Sequence, residues 1–303
     1  MKKFLAFFLA SLTILCLSFA SAETAGVTAA APSGAPGVAL ALLASKNPDA
    51  YTFLSAETIP AEFANENSDF IIAPLNAGAK LYKAGKSTYR LAAVVTWGNL
   101  YIASQKPDFK LEDINGAALT LFGENTINAS IVLYSLEKAG ITPASTEYLA
   151  GAANTQSLLL SDAEAIVVTA EPAVTAAKVK NEAVTAYAVN DLYKAATGYD
   201  GFTQAGLFIK AATAEASPEL VAAFLDEVKA SCDACTTDLA AVADAAVALE
   251  LLPNAKIATA AIPGCSIHYM NALDAKEQIE ATIAVAPEQF GGVPSDDFYY
   301  EAK

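Results

Sequence analysis

The feature that most constrains this chain is a repeated alternation of short β-branched runs with helical segments, joined by brief turns. Residues 27–31 read as a strand and Ser33-Gly34-Ala35-Pro36-Gly37 as a turn. A helix is expected over 38–46, with Pro36 near its first position, where a missing N–H costs nothing. Residues 51–54, 70–73 and 89–96 read as further strands. Residues 60–66 and 77–84 read as helices, the second opened by Asn76. This β-α-β-α-β order predicts a largely parallel sheet with helices on both faces.

After a crossing at 100–104 the grammar restarts. Strands at 118–122, 146–149, 165–169 and 184–189 alternate with helices at 127–139, 154–161 and 172–180. Residues 202–209 read as a strand returning to the first unit, and the pattern beyond is helical at 218–232, 239–252 and 274–285. Two α/β units joined by two crossings predict a two-lobed α/β fold with a ligand cleft between the lobes. Each lobe is expected to be a mixed, mainly parallel sheet flanked by helices. Lobe one takes 23–100 plus 204–303, and lobe two takes 101–203. Ligands of such sheets sit at the carboxyl ends of the strands, at switch points.

The first residues bear on location. Lys2 and Lys3 precede a largely apolar run over 4–19, and Ala20-Ser21-Ala22 supplies small residues for a signal peptidase. Residues 1–22 therefore read as a secretory signal, too short and wrongly flanked for a membrane anchor; the bland alternative is a buried N-terminal helix. Cys16 follows Leu15, whereas lipoprotein cleavage needs a small residue there. The mature chain is expected to start at Glu23 and to be soluble and periplasmic, without a lipid anchor. With 33 acidic and 18 basic side chains the net charge is −15, and loss of the signal lysines makes it more negative. Such a surface repels nucleic acid and anionic headgroups, so neither is expected as a partner. After the signal, no apolar stretch approaches the ~20 residues of a membrane span.

The reactive inventory is thin. There is one histidine, His268, one tryptophan, Trp97, and a single arginine, Arg90. A lone histidine cannot build a two-histidine metal site, and neither a Gly-x-Ser-x-Gly elbow nor His-Glu-x-x-His occurs. No catalytic residue, metal or cofactor is expected. Cys232 and Cys235 are spaced C-x-x-C but follow a helical pattern instead of opening a helix after a strand. They read as a structural disulfide or as simple thiols, with Cys265 left without an obvious partner. Arg90 begins a strand at the end away from the expected cleft, so a bidentate carboxylate clamp is not expected. That favours neutral or ring-containing solutes, or anions held by backbone N–H groups.

Several segments, in this order, resemble the type II periplasmic substrate-binding proteins of ABC importers, in the branch of nitrate, sulfonate and thiamine-precursor binders. They are Ser33-Gly34-Ala35-Pro36, Ile71-Ile72-Ala73-Pro74-Leu75-Asn76, Val95-Thr96-Trp97-Gly98-Asn99, residues 166–172, and the tail from Gly291 to Tyr300. The resemblance implies a monomeric protein that captures a small-molecule solute by lobe closure and delivers it to a membrane permease. Gram-positive members are usually lipid-anchored; the failed lipoprotein site departs from that and favours a periplasmic or shed protein. Two other readings use the same fold. One is an enzyme of the dehydratase or thiamine-pyrimidine type; the other is an exported sensor or adhesin.

The candidate ligand contacts lie just past strand ends. Ser33, Gly34 and Ala35 begin a helix, whose free N–H groups and dipole suit an anion or a carbonyl oxygen; a bare turn is the alternative. Asn76 is a ligand contact or an N-cap. Trp97, between Thr96 and Gly98, can offer a flat face to a ring or cation, or can serve as hinge core. Asn99 can bond a ligand or fix the interlobe crossing. Asn125 and Thr126 repeat the first loop's logic in lobe two, as contacts or caps. Glu171 can accept from an N–H or ammonium group, or favour a helix dipole. Gln204 lies on the returning segment. His268 reads more readily as a core or surface histidine.

Overall fold

A computed structural model of the protein describes residues 26–301; the expected signal, 1–22, lies outside them. In chain order the strands are β1 (Ala29–Pro32), β2 (Tyr51–Leu54), β3 (Phe70–Pro74), β4 (Arg90–Thr96), β5 (Leu100–Ser104), β6 (Ala118–Phe122), β7 (Ser145–Leu149), β8 (Ile166–Ala170), β9 (Thr185–Ala188), β10 (Ala205–Ile209) and β11 (Ile267–Asn271). They form a six-stranded sheet ordered β11-β4-β10-β3-β1-β2 and a five-stranded sheet ordered β7-β6-β8-β5-β9. Helices flank both sheets, giving a two-lobed α/β fold.

In each sheet one strand is flanked by its two parallel partners. β1 lies between β2 and β3, and β6 lies between β7 and β8. Each is a switch point, where loops leaving adjacent strands diverge and open a crevice. From the first emerge the Ser33–Gly34 loop and the helix Leu75–Lys83; from the second emerge the loop 123–126 and Glu171.

Among the named strands, parallel pairing is confined to those triplets. β10 arrives from the second lobe at the carboxyl end of β4, so it runs antiparallel to both β3 and β4. β5, the outgoing crossing, likewise pairs antiparallel with β8 and β9. Antiparallel pairs are therefore more numerous than expected, because both crossings enter the sheets as strands.

Local differences have local causes. The helix expected at 38–46 is two single turns, Ala35–Val38 and Ala41–Ala44. Gly37 is pressed against the end of β1, where a Cβ would come 2.8 Å from the Pro32 carbonyl, and the chain bends at Leu40 (φ −101°) before the second turn. The strand expected over 184–189 stops at Ala188, and its last residue opens the helix Val189–Thr197. Residues 202–204 belong to the crossing, and β10 starts at Ala205. Beyond it the chain is not wholly helical: Ile267–Asn271 adds β11 along β4, with Ile267 and Tyr269 buried and His268 exposed.

The six-stranded sheet separates two cores. On one face Phe70, Ile72, Val95 and Leu207 meet Phe224, Val228 and Val242 from the C-terminal helices, and Phe70 stacks on Phe224 with ring centres 3.9 Å apart. On the other, Phe63, Leu91 and Phe208 pack together, and this core continues through Trp97 and Phe202 to Val189, Tyr193 and Ile131 of the second lobe. Full burial of such side chains stabilises by about 1.5–3 kcal/mol each. The lobes thus share a hydrophobic hinge. Cys232 and Cys235 lie inside the helix Pro218–Thr237, and with Cys265 they are buried free thiols.

Candidate ligand-binding site

A chain of neutral amides spans the hinge. Thr96 closes β4; its hydroxyl accepts from the Ala205 N–H (3.1 Å) and donates to Gln204 Oε1 (3.4 Å). Gln204 Nε2 then donates to Asn99 Oδ1 (3.0 Å) and to Asn128 Oδ1 (3.3 Å). Asn99 Nδ2 donates to the Glu171 carbonyl (3.3 Å), and the Glu171 N–H donates to the Asn99 carbonyl (3.0 Å). Gln204 also accepts, through its carbonyl, from the Leu75 N–H that begins the helix carrying Asn76 (2.9 Å). Both switch points are therefore tied to one polar floor.

Asn99, Gln204 and Glu171 are joined in that floor, with Thr96 at its edge. Asn128, in the first turn of the helix Ile127–Lys138, has no sequence signal beyond its place after a strand and loop. Asn76 is not an N-cap: the helix begins at Leu75, after Pro74, and the Asn76 Oδ1 is buried without a partner. Ser33 is exposed at the end of β1, Gly34 sits at φ +89°, and Ala35 is buried. The helix they open has four residues, so its dipole is short and weak.

Loop 123–126 ends in a true cap. Thr126 accepts at its hydroxyl from the Ala129 N–H (3.5 Å) and donates to the Gly123 carbonyl (2.6 Å). Asn125 takes φ +58°, and its carbonyl accepts from Gln289 Nε2 of the other lobe (2.7 Å).

Glu171 is 8 % exposed and follows β8. Its Oε1 accepts from the Thr175 hydroxyl (2.8 Å) and its Oε2 from the Thr175 N–H (3.3 Å). Burial pushes its carboxyl pKa up, against the smaller opposing pull of those hydrogen bonds and of Lys178. Facing it from the first lobe is Gly264. The Tyr101 hydroxyl donates across the interface to the Gly264 carbonyl (3.2 Å), and burial, with the Glu171 charge behind it, raises that phenol to about 12.

Trp97 takes a different direction from Thr96. Its indole N–H donates to the His268 carbonyl on β11 (2.8 Å), its backbone N–H to the Ser266 carbonyl (3.0 Å), and only 7 % of the residue is exposed. That edge faces a cavity of about 440 Å³, also lined by Asn190, Tyr199, His268, Met270 and Gln278. Asn190 Nδ2 donates to the Trp97 and Gly98 carbonyls, each at 2.9 Å, which holds the outgoing crossing. Gly98 takes φ +81°, and a Cβ there would strike Phe202 of the returning crossing at 2.4 Å. The hinge therefore needs this glycine. Asn190 directly follows the strand expected over 184–189, so its position could have flagged it, whereas Gly264 lies between expected helices with no strand end near it.

Among the described residues no group of three or more His, Cys, Asp or Glu side chains is placed to hold a metal ion, and no helix is long and apolar enough to cross a membrane. No protein-family model matches the chain, and no curated protein sequence does so either. Solved structures do match. A crystal structure of an ABC transporter from Parabacteroides distasonis is 21 % identical with a TM-score of 0.78, over 91 % of this chain and 99 % of that one. The periplasmic aliphatic sulphonate binding protein of Escherichia coli is 14 % identical with a TM-score of 0.70, over 91 % and 92 %. The alkanesulfonate-binding protein of Xanthomonas axonopodis pv. citri, bound to MOPS, is 14 % identical with a TM-score of 0.62, over 87 % and 92 %. This chain has the two-lobed fold of the periplasmic binding proteins.

Proposed function

We propose that this protein is an exported, monomeric solute-binding protein that captures a small molecule between its lobes and delivers it to the permease of an ABC importer. It works without catalysis, in the periplasm, after loss of residues 1–22. Lobe one is 23–100 with 204–303, and lobe two is 101–203. The solute is held by Ser33, Gly34, Ala35, Asn76, Thr96, Trp97, Gly98, Asn99, Asn125, Thr126, Glu171 and Gln204.

The observation that carries this reading is the amide floor. Asn99, Asn128, Gln204 and Glu171 come from both lobes and meet at the two switch points, beside the two crossings about which the lobes can rotate. Neutral donors and acceptors converging in an interlobe crevice suit recognition of a small solute. The role of the fold's neighbours in ABC transport supports the same reading.

Native mass spectrometry of the folded protein should find a copurified small molecule in stoichiometric amount. Small-angle scattering before and after its removal should give a smaller radius of gyration with solute. An unchanged radius at confirmed saturation would count against capture by closure.

A further inference from the structure

Glu171 is a carboxylate more than nine-tenths buried, placed where the lobes meet, with no cation in ion-pair contact. Among the described residues none of the ion pairs includes it. Its two oxygens receive one hydroxyl and one backbone N–H, both from Thr175 of its own lobe. Across the interface stands Gly264, which has no side chain; the Tyr101 hydroxyl, on the same lobe as Glu171, gives its proton to the Gly264 carbonyl instead. Lys178, a turn further along the helix Ala173–Lys180, is exposed. A buried carboxylate without counter-charge is costly, and a partner that brings positive charge into the site relieves that cost.

The rest of the candidate cleft offers nothing to an anion beyond neutral amides and hydroxyls. The short helix at Ala35–Val38 has little dipole, and at the helix starts that follow β6 and β8 N–H groups are already answered, one by Thr126 and one by Glu171, while the start at Ala152 has no side-chain cap. The only arginine begins β4 at its far end. A sulfonate entering here would meet a carboxylate and no cation.

We infer that the solute of this cleft carries an amine, amidine or comparable cationic N–H group, which Glu171 receives when the lobes close, and that alkanesulfonates are not its ligands. This inference rests on the solute-binding reading above. The bond needs two features of the chain: the carboxylate at 171 and the bare Cα at 264, where any side chain would press on that carboxylate. Thr175 orients the carboxylate and leaves lone pairs on both oxygens for the incoming donors.

The test uses the full mature chain, stripped of copurified solute, and two matched sets of probes. Propylamine, putrescine, benzylamine and benzamidine form one set; propanesulfonate, MOPS and benzenesulfonate form the other. Thermal shift followed by calorimetric titration reads binding to wild type, Glu171→Gln and Glu171→Asp. At least one nitrogen probe is expected to bind wild type, and Glu171→Gln should weaken it about ten- to a hundredfold, the scale of losing a charged hydrogen bond. Glu171→Asp keeps the charge on a shorter arm and should fall between them, which guards against misfolding of one variant. Tighter binding of a sulfonate, unchanged binding of the nitrogen probe in folded Glu171→Gln, or binding of no nitrogen probe overturns the inference. A sulfonate that binds and closes the lobes would leave the solute-binding reading standing. Failure of copurified material and of both probe sets to bind would remove that reading as well.

Discussion

Gly264 lies so close to Glu171 that a Cβ on it would stand 2.8 Å from the carboxylate Oε1, and the two residues belong to different lobes. The same Cβ would stand 2.7 Å from the Tyr101 hydroxyl. Contacts under 3.0 Å force something to move, and here the thing free to move is the interface. Gly264→Ala is expected to hold the lobes apart while leaving each lobe folded. The radius of gyration at saturating solute should then stay near the open value, and affinity should drop at least tenfold. Overpacking of this kind costs about 1–3 kcal/mol, and it should appear in closure more than in melting temperature. A variant that closes and binds like wild type would show that this contact does not form in solution.

Glu171 ties stability to pH. Burial raises its pKa, so the folded chain holds this proton more tightly than the unfolded chain does. The stability contributed is full below the unfolded value and is lost as pH rises through the folded one. The groups facing it are the Tyr101 phenol, the Cys265 thiol and, at the rim, Lys178; burial pushes the first two up, so they stay neutral across this window. Without solute, Glu171→Gln should therefore melt higher than wild type near neutral pH, by roughly 2–4 °C per kcal/mol of charge penalty removed. The gap should close as pH falls into the ordinary carboxylate range. Equal melting temperatures at every pH would mean that the carboxylate is better solvated than its burial implies.

The sequence made the strand-helix alternation legible because β-branched runs and Pro or Gly turns are local signals. β2, β5 and β6 fall within the expected bounds, and the loops at Gly34, Gly123 and Glu171 could be placed at strand ends from order alone. Direction was harder to read. Whether Ala205–Ile209 runs parallel or antiparallel to β3 depends on which lobe it enters from, a long-range fact. β11 alternates buried and exposed residues, yet five residues between helical stretches carry little weight. Asn128 and Asn190 look like ordinary helix residues until the partners 76 residues from Asn128 and 93 from Asn190 are known. Asn76 looks like a cap because Asn favours that place; Pro74 takes the position instead.

The cysteines should be silent in the native state. Burial pushes Cys232 and Cys265 well above the usual thiol range and Cys235 to about 12, so thiolate is scarce at neutral pH. A thiol reagent such as DTNB should react with none of the three until denaturant is added. Replacing Cys232 and Cys235 with Ala should leave solute affinity within a few-fold, since both sit in the core behind the six-stranded sheet. Fast native labelling, or a large loss of affinity, would contradict that placement.

Trp97 supplies the sharpest test of the hinge. Its indole joins the shared core, donates to the His268 carbonyl, and shows one edge to the cavity beside β11. As the chain's only tryptophan it should report closure, so its emission is expected to shift when solute is added. Trp97→Ala removes a large buried ring and orphans a carbonyl, and should cost about 3–5 kcal/mol of stability. The folded fraction should also bind about ten- to a hundredfold more weakly, because the crossing between Thr96 and Asn99 loses the anchor that sets its register. Trp97→Phe restores most of the volume but not the N–H, so it should recover the greater part of the stability while leaving His268 unpaired. Calorimetric titration beside thermal melts separates the two effects. If folded Trp97→Ala kept wild-type affinity, the ring would be hinge core alone, and solute recognition would rest on the amide floor and Glu171.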